Sequence, residues 1–206
     1  MSFYPELDRL KLEELVQHFR MPPPEGEDYA IAYYQEVAQL IRQKGEAGIA
    51  FLQQEINRAN TAQLQAILFA LTETKLDDLA LRELLFSYLK DDRPIVVMEA
   101  IDALSRQGEK DALDSVLALR EHPSPYVRGS VLRFMRHLYP DRAFPLLIKA
   151  LKDPDFIVRE NAADELGELD AIEAISYLHP LIEDSHPDVR QAAQTAIAIL
   201  ESLQSV

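Results

Sequence analysis

The sequence contains no cysteine and few glycines, and both absences narrow the chemistry open to it. Without cysteine among 206 residues, the chain has no disulfide, no thiolate nucleophile and no cysteine ligand for zinc or an iron–sulfur cluster. Six glycines provide neither a glycine-rich phosphate loop nor a Gly-x-Ser-x-Gly nucleophile elbow. An intracellular, cytoplasmic location is the simplest expectation for such a chain.

Long apolar runs are missing as well. No stretch approaches the roughly 18–20 apolar residues that a membrane-spanning helix requires. The first residues have neither the basic start nor the apolar core of a signal peptide. We therefore expect no membrane insertion and no signal peptide.

Side chains that bind metals or transfer protons are present, but their spacing does not favour a reaction. No two of the five histidines lie on one helix at i, i+3 or i+4 spacing, and none lies in a His-Glu-x-x-His motif. Adjacent carboxylates such as Asp91–Asp92 lie where turns and helix starts favour acidic residues. We therefore expect no catalytic residue, no metal and no cofactor, and so no enzyme.

Charge is strongly biased towards acidic residues, with a formal net charge of −14. This balance disfavours non-specific binding to nucleic acid or to an anionic membrane. Solubility explains it, and attraction to a basic partner is the alternative. With 48% hydrophobic and 27% charged residues, the chain has an ordinary globular composition, and its length suits a single domain over residues 1–206.

A sequence pattern recurs at a fixed distance along the chain. Val-Arg occurs at 127–128, 158–159 and 189–190, in steps of 31 residues. Thirty residues earlier, Val97–Met98 occupies the matching place, with Met98 where the arginine is expected. Apolar residues at helical spacing surround each copy. A period of about thirty residues with one helix pair per unit is typical of an α-solenoid.

The spacing predicts twelve helices in six pairs. Residues 60–203 contain the recognisable repeats, and residues 1–59 are predicted to form divergent capping pairs at the N-terminus. Glu6–Arg20 is predicted as the first helix, Ile172–Glu183 as the penultimate helix and Tyr139–Asp141 as a turn.

These motifs resemble the HEAT repeat, in particular its short variety named after phycobilisome lyases. The stretch Asp153–Gly167 matches closely, with Asp-Pro followed by Val-Arg-x-x-Ala-Ala-x-x-Leu-Gly, and Asp184–Ala193 matches well. His122–Leu132 and Asp92–Leu104 match in part. The resemblance implies an all-α solenoid of about six antiparallel helix pairs, wound as a right-handed superhelix, with the second helix of each pair on the concave side.

Each Val-Arg arginine is expected to reach the turn aspartate of an adjacent repeat, because a guanidinium group can bond a carboxylate through two N–H groups. We call this set the inter-repeat ladder, and its predicted role is structural. Its members are Asp92, Arg128, Asp153, Arg159, Asp184 and Arg190.

One repeat is cationic within the acidic chain. Between Arg120 and Lys152 there are seven cations and only two anions. A chance cluster on a solvated face is one interpretation, and a docking patch for an acidic partner or an anionic small molecule is the other. For the second, the predicted partner-binding residues are Tyr126, Arg133, Arg136 and His137, because tyrosine and arginine are frequent binding anchors.

The leading functional hypothesis is a non-enzymatic scaffold or adaptor that binds another protein, with an acidic surface, through the concave side. By resemblance, the alternative is a phycobilin-lyase-related or phycobilisome-associated factor, in which the Arg128–Arg142 region would bind the propionates of a tetrapyrrole. Self-association as a homodimer through exposed apolar ends is a further hypothesis. Its candidate residues are Leu7, Leu10, Val16, Ile197 and Leu200.

Overall fold

The computed structural model describes residues 4–24, 30–75 and 78–204. These ranges contain twelve α-helices and no β-strand, which confirms the predicted all-α solenoid class. The chain divides into two compact units, Met1–Gln107 and Gly108–Val206. No helix in the described ranges combines the length and the apolar character needed to cross a bilayer.

Three helix pairs make up the first unit. The second helix of each pair packs on the second helix of the next, so that α2 contacts α4 and α4 contacts α6. The helices are α1 (Leu12–Arg20), α2 (Ala30–Gln43), α3 (Glu46–Glu55), α4 (Thr61–Thr72), α5 (Leu79–Tyr88) and α6 (Pro94–Gln107).

Local sequence signals fix several of these helix ends. The Asn60 side chain accepts the N–H of Gln63 at 2.9 Å, and the Gln63 side chain accepts the N–H of Asn60 at 3.0 Å, which forms a capping box at the start of α4. Asp78 accepts the N–H of Leu81 and caps α5. Gly45 joins α2 to α3 with a positive φ of 80°, a conformation that favours glycine.

The second unit repeats the arrangement with another three pairs. Its second helices pack in the order α8, α10 and α12. The helices are α7 (Leu113–Leu117), α8 (Pro125–Leu138), α9 (Pro140–Ala150), α10 (Phe156–Glu168), α11 (Ile175–Leu178) and α12 (Pro187–Gln204).

The period of the second helices is 31 residues at each step from α6 onwards. Helices α6, α8 and α12 start at Pro94, Pro125 and Pro187, and α10 starts at Phe156. Proline suits the first helical position because its missing N–H would have no partner there. This register places Val97, rather than the predicted Met98, at the arginine position of α6.

The first helices of the pairs depart most from the predictions. Ile172–Glu183 is not one helix, because the four-residue α11 is flanked by 3₁₀ turns at Ile172–Ala174 and His179–Glu183. Pro180 lies within the second turn and has no N–H to continue an α-helix. The predicted turn Tyr139–Asp141 is also wrong, since Pro140 is the first residue of α9.

The N-terminal helix is shorter than predicted. Instead of Glu6–Arg20, a 3₁₀ turn at Leu7–Arg9 is followed by Leu10 in an extended conformation, and α1 begins at Leu12. Asp28, an acidic residue of the type that caps helix starts, lies outside the described residues.

Helices α10 and α12 approach closely because small residues line their contact. A Cβ atom added to Gly167 would lie 3.2 Å from both the Cα and the Cβ of Ala196. Ala162 and Ala163 on α10 and Ala193 on α12 are fully buried. The Ala pair of the repeat motif is therefore a packing feature.

Candidate functional site

Arg128 on α8 holds the turn that leads into α10. Its Nε and Nη2 donate to the Asp153 carboxylate at 3.0 and 2.8 Å. Its Nη1 donates to the main-chain carbonyls of His122 and Pro123 at 2.8 and 3.1 Å. Asp153 in turn accepts the N–H of Asp155, the N-cap residue of α10. One arginine thus links two consecutive turns.

The same geometry recurs one repeat later. Arg159 donates to both oxygens of Asp184 at 2.8 Å, and to the carbonyls of Asp153 and Pro154 at 2.9 and 3.1 Å. The hydrogen bonds from Arg159, aided by the N–H of His186, lower the pKa of Asp184 to about 2, although burial opposes this shift. The Asp184 bonds also raise the pKa of Arg159.

The two ends of the predicted ladder differ from its middle. Among the bonds in the described chain, Arg190 donates only to the carbonyls of Asp184 and Ser185, at 2.8 and 3.1 Å. Asp92 is exposed, and the equivalent position in the 31-residue register is Asp91. Asp91 accepts the N–H of Arg93 and pairs with its guanidinium at 2.8 Å.

The four predicted partner-binding residues are spread along α8. Tyr126, Arg133 and His137 follow i, i+7, i+11 spacing and so share one side of the helix. Tyr126 is 53% exposed, the highest value for an aromatic side chain in the described ranges. His137 is exposed and lies about 16 Å along the helix from Tyr126, at about 1.5 Å per residue.

The two arginines among these residues are engaged by the structure. Arg133 donates to the side-chain oxygen of Asn161 on α10 and to the Ser130 hydroxyl, both at 2.6 Å. Arg136 pairs with Glu165 on α10 at 2.6 Å. Two cations of this repeat are therefore used in contacts with the next repeat. In the sequence, these contacts correspond to an arginine and a polar partner 28 or 29 residues later.

A row of carboxylates on α10 was not among the predicted residues. Glu160, Asp164 and Glu168 follow i, i+4, i+8 spacing, which would have revealed them as one face. Partial burial and the carboxylates of Glu160, Glu165 and Glu168 raise the pKa of Asp164 to about 6. Because α10 packs on α8, the acidic residues on the exposed side of α10 lie beside the cationic residues on the exposed side of α8. We call the exposed sides of these two helices the α8–α10 face.

The apolar end residues proposed for self-association are largely buried in their own units. Leu7, Ile197 and Leu200 are 2%, 8% and 0% exposed, because they pack into the core. On α12 the exposed apolar side chains are instead Ile199 and Leu203. In the described ranges, no three His, Asp or Glu side chains are grouped to hold a metal ion.

The match to known families falls on the second half of the chain. Residues 116–198 match the family model for HEAT repeats, which confirms the HEAT-like character of the region with the Val-Arg motifs. No curated protein matches the sequence.

Solved structures with a similar fold are repeat proteins of low sequence identity. YibA from Escherichia coli aligns with a TM-score of 0.70 and 16% identity over 97% of this chain and 76% of its own. A designed armadillo repeat protein in complex with the peptide (KR)4 aligns with a TM-score of 0.53 and 18% identity over 93% and 100%. The CpcE–CpcF complex of phycocyanin lyase from Nostoc sp. PCC7120 aligns with a TM-score of 0.54 and 19% identity over 93% and 82%.

Proposed function

We propose that this chain is a non-enzymatic scaffold or adaptor that binds a partner protein through the α8–α10 face of its second unit. The observation that carries the proposal is the exposure of Tyr126 at the start of α8. A large aromatic side chain left in solvent beside arginines is a common anchor in protein interfaces. Arg133, Arg136 and His137, which lie further along α8, complete the proposed anchor set.

The restraint of the two arginines favours binding. Arg133 and Arg136 are positioned by Asn161 and Glu165 before any partner arrives. A side chain that is already ordered loses less conformational entropy on association. The charge pattern suits a partner with acidic groups opposite α8 and basic groups opposite α10. A basic peptide bound to a designed repeat protein of similar fold supports a repeat surface as the binding element.

Affinity capture from native cell extract tests the proposal, with Tyr126→Ala compared against Tyr177→Ala. Tyr177 is 48% exposed and lies on α11, so it is a control of matched size and exposure. We expect the captured partner to be lost with Tyr126→Ala and kept with Tyr177→Ala. Equal capture by both variants, or equal loss, would contradict a role for the α8–α10 face.

Arg133 and Arg136 are less suitable for a first test, because reversing their charge would place two carboxylates together at Glu165 and weaken packing. Size-exclusion chromatography with light scattering on the same samples tests self-association. A single monomeric mass at high concentration would contradict a homodimer.

A tetrapyrrole-handling role, with a repeat of the phycobilisome-lyase type, is the second candidate. It is supported by the likeness of fold to the CpcE–CpcF complex of phycocyanin lyase. Against it, the Arg128 guanidinium is already hydrogen-bonded to Asp153 and to the carbonyls of His122 and Pro123. Visible absorption in the captured material would favour this candidate, whereas a colourless eluate with a protein partner would favour the scaffold.

A further inference from the structure

A separate pocket lies on the second unit beside the Asp153 turn. Its volume is about 370 Å³, within the range of about 300–1,000 Å³ that is usual for ligand pockets. It is bounded by the loop that follows α7, the first half of α8, the last turns of α9 and the start of α10. The residues that line it include Arg120, Arg128, Lys149 and Lys152, together with Val131 and Leu132.

The floor of the pocket is apolar and belongs to the core. Val131, Leu132 and Val158 line it and are at most 4% exposed. Leu146 and Ala150 on α9 complete the floor and are half-buried. Because these residues also pack the helices together, the floor is part of the core and presents an apolar surface to the pocket.

The rim of the pocket is cationic. Arg128 is bonded to Asp153. The Arg120 side chain is 51% exposed, lies 3.7 Å from Glu121 and donates to the Leu117 carbonyl at 3.1 Å. Lys149 and Lys152 are exposed, and neither makes an ion pair with a residue in the described ranges. Three cations therefore surround an apolar floor.

These cations are not imposed by the repeat. In the 31-residue register, the positions of Arg120, Lys149 and Lys152 become Leu151, Pro180 and Glu183 in the next repeat. A lysine in the last helical turn suits the negative end of the helix dipole, but the following repeat forms without any cation at these three places. Arg128, by contrast, recurs as Arg159 and Arg190.

We infer that this pocket binds a short acidic peptide segment of a partner protein. One apolar side chain of the segment enters the floor over Val131 and Leu132, and carboxylates on both sides of it bind Lys149, Lys152 and Arg120. This assignment rests on the proposed interaction role and adds a second contact outside the α8–α10 face. Positive rim and negative segment are complementary, which steers encounter and selects against basic segments.

The test uses the full chain, isotopically labelled, with amide shifts followed by NMR. The probe is acetyl-Glu-Asp-Leu-Asp-Glu-amide. One control probe carries serine in place of leucine, and another carries glutamine and asparagine in place of the acids. The variant is Lys149→Glu with Lys152→Glu. Its matched control is Lys44→Glu with Lys75→Glu, two exposed lysines of the first unit, which changes the net charge by the same amount.

We expect shifts at Val131, Ala150 and Val158 with the leucine probe, weaker binding at higher salt, and about tenfold weaker binding in the Lys149/Lys152 variant. The milder change of both lysines to glutamine should weaken binding in the same direction and guards against a folding defect. The control variant should bind like the wild type, and both control probes should bind poorly.

Three outcomes would overturn the inference. One is the absence of shifts at the pocket with millimolar probe. Another is equal binding of the leucine and serine probes, or equal loss in both lysine variants, since either would show general charge attraction. The third is octanoate binding as tightly as the peptide at the same amides, which would assign the pocket to a small amphiphile. Loss of a captured partner in Tyr126→Ala is independent of all three, so the two proposals fail separately.

Discussion

Replacing Arg159 by alanine would remove four hydrogen bonds from a nearly buried turn. Two join the guanidinium to the Asp184 carboxylate at 2.8 Å, and two join it to the carbonyls of Asp153 and Pro154. The side chains of the ion pair are 14% and 12% exposed. After truncation, Asp184 still accepts the N–H of His186, but its carboxylate has lost its counter-ion.

The size of the effect follows from how far the pair is buried. Breaking a buried pair costs about 3–5 kcal/mol, and an exposed pair contributes less than about 1 kcal/mol. The lowering of the Asp184 pKa from 3.8 to about 2 corresponds to roughly 2 kcal/mol of stabilisation of its ionised form. Adding the two carbonyl bonds, we expect Arg159→Ala to reduce the free energy of unfolding by about 2–4 kcal/mol.

Arg190→Ala is the matched control, because Arg190 occupies the same helix position with carbonyl bonds only. It should cost about 1 kcal/mol. Urea unfolding followed by circular dichroism gives both values, provided that the dependence on urea stays the same. Equal losses for the two variants would refute the assignment of most of the energy to the Arg159–Asp184 pair, and unchanged stability in both would refute the ladder as a stabilising feature.

Three further predictions concern pH and packing. Because the folded-state pKa of Asp184 lies below its unfolded value, its stabilisation is present above about pH 4 and is lost as pH falls towards 2; acid titration of Asp184→Asn should therefore show a smaller loss. Burial raises the pKa of Glu99 to about 7 despite its pairing with Arg106. Between about pH 4.5 and 7 the folded state therefore keeps a proton that the unfolded state loses. The stabilisation of the fold by this group is present below about pH 4.5 and is lost as pH rises through about 7. Glu99→Gln should remove this dependence and raise the urea midpoint at pH 8, and an unchanged pH profile would contradict the burial argument. Gly167→Ala should lower stability by about 1 kcal/mol, since overpacking against Ala196 outweighs the better helix propensity; a higher urea midpoint would contradict it.

The repeat was predictable because its signals are local. A proline at the first helical position and an arginine that bonds turn carbonyls five and six residues earlier act within one turn, so the sequence pattern contains them directly. The break of Ile172–Glu183 into short segments had a signal too, because Pro180 stands inside it. The apolar spacing of that stretch favoured the prediction of one helix, although Pro180 has no N–H to continue it.

Contacts between repeats were harder to predict. Whether Arg133 projects into solvent or bonds Asn161 depends on how closely α8 and α10 pack, and that distance is set by small residues such as Gly129, which lies against Asn161. The burial of Glu99 has the same origin. Met98 and Ala100 flank it in the sequence, but the sequence does not show that α4 packs on α6 and brings Gln65 to the carboxylate.

The charge of the cationic repeat gains meaning once each cation is assigned a role. Between Arg120 and Lys152 five of the seven cations are engaged within the unit: Arg120 with Glu121 and the Leu117 carbonyl, Arg128 with Asp153, Arg133 with Asn161, Arg136 with Glu165, and Arg142 over the Tyr139 ring at 5.7 Å. The other two are Lys149 and Lys152, and both line one pocket. The sum of charges along the sequence counts all seven cations alike, whereas the structure shows which of them are bonded within the unit and which are exposed to solvent. For a cation already bonded to the fold, a contact with an acidic partner must share or exchange an existing bond, although its fixed position reduces the entropy lost on binding. The two rim lysines require no such exchange, so charge reversal at Lys149 and Lys152 should alter binding of an acidic segment more than stability, and reversal at Arg136 should do the opposite.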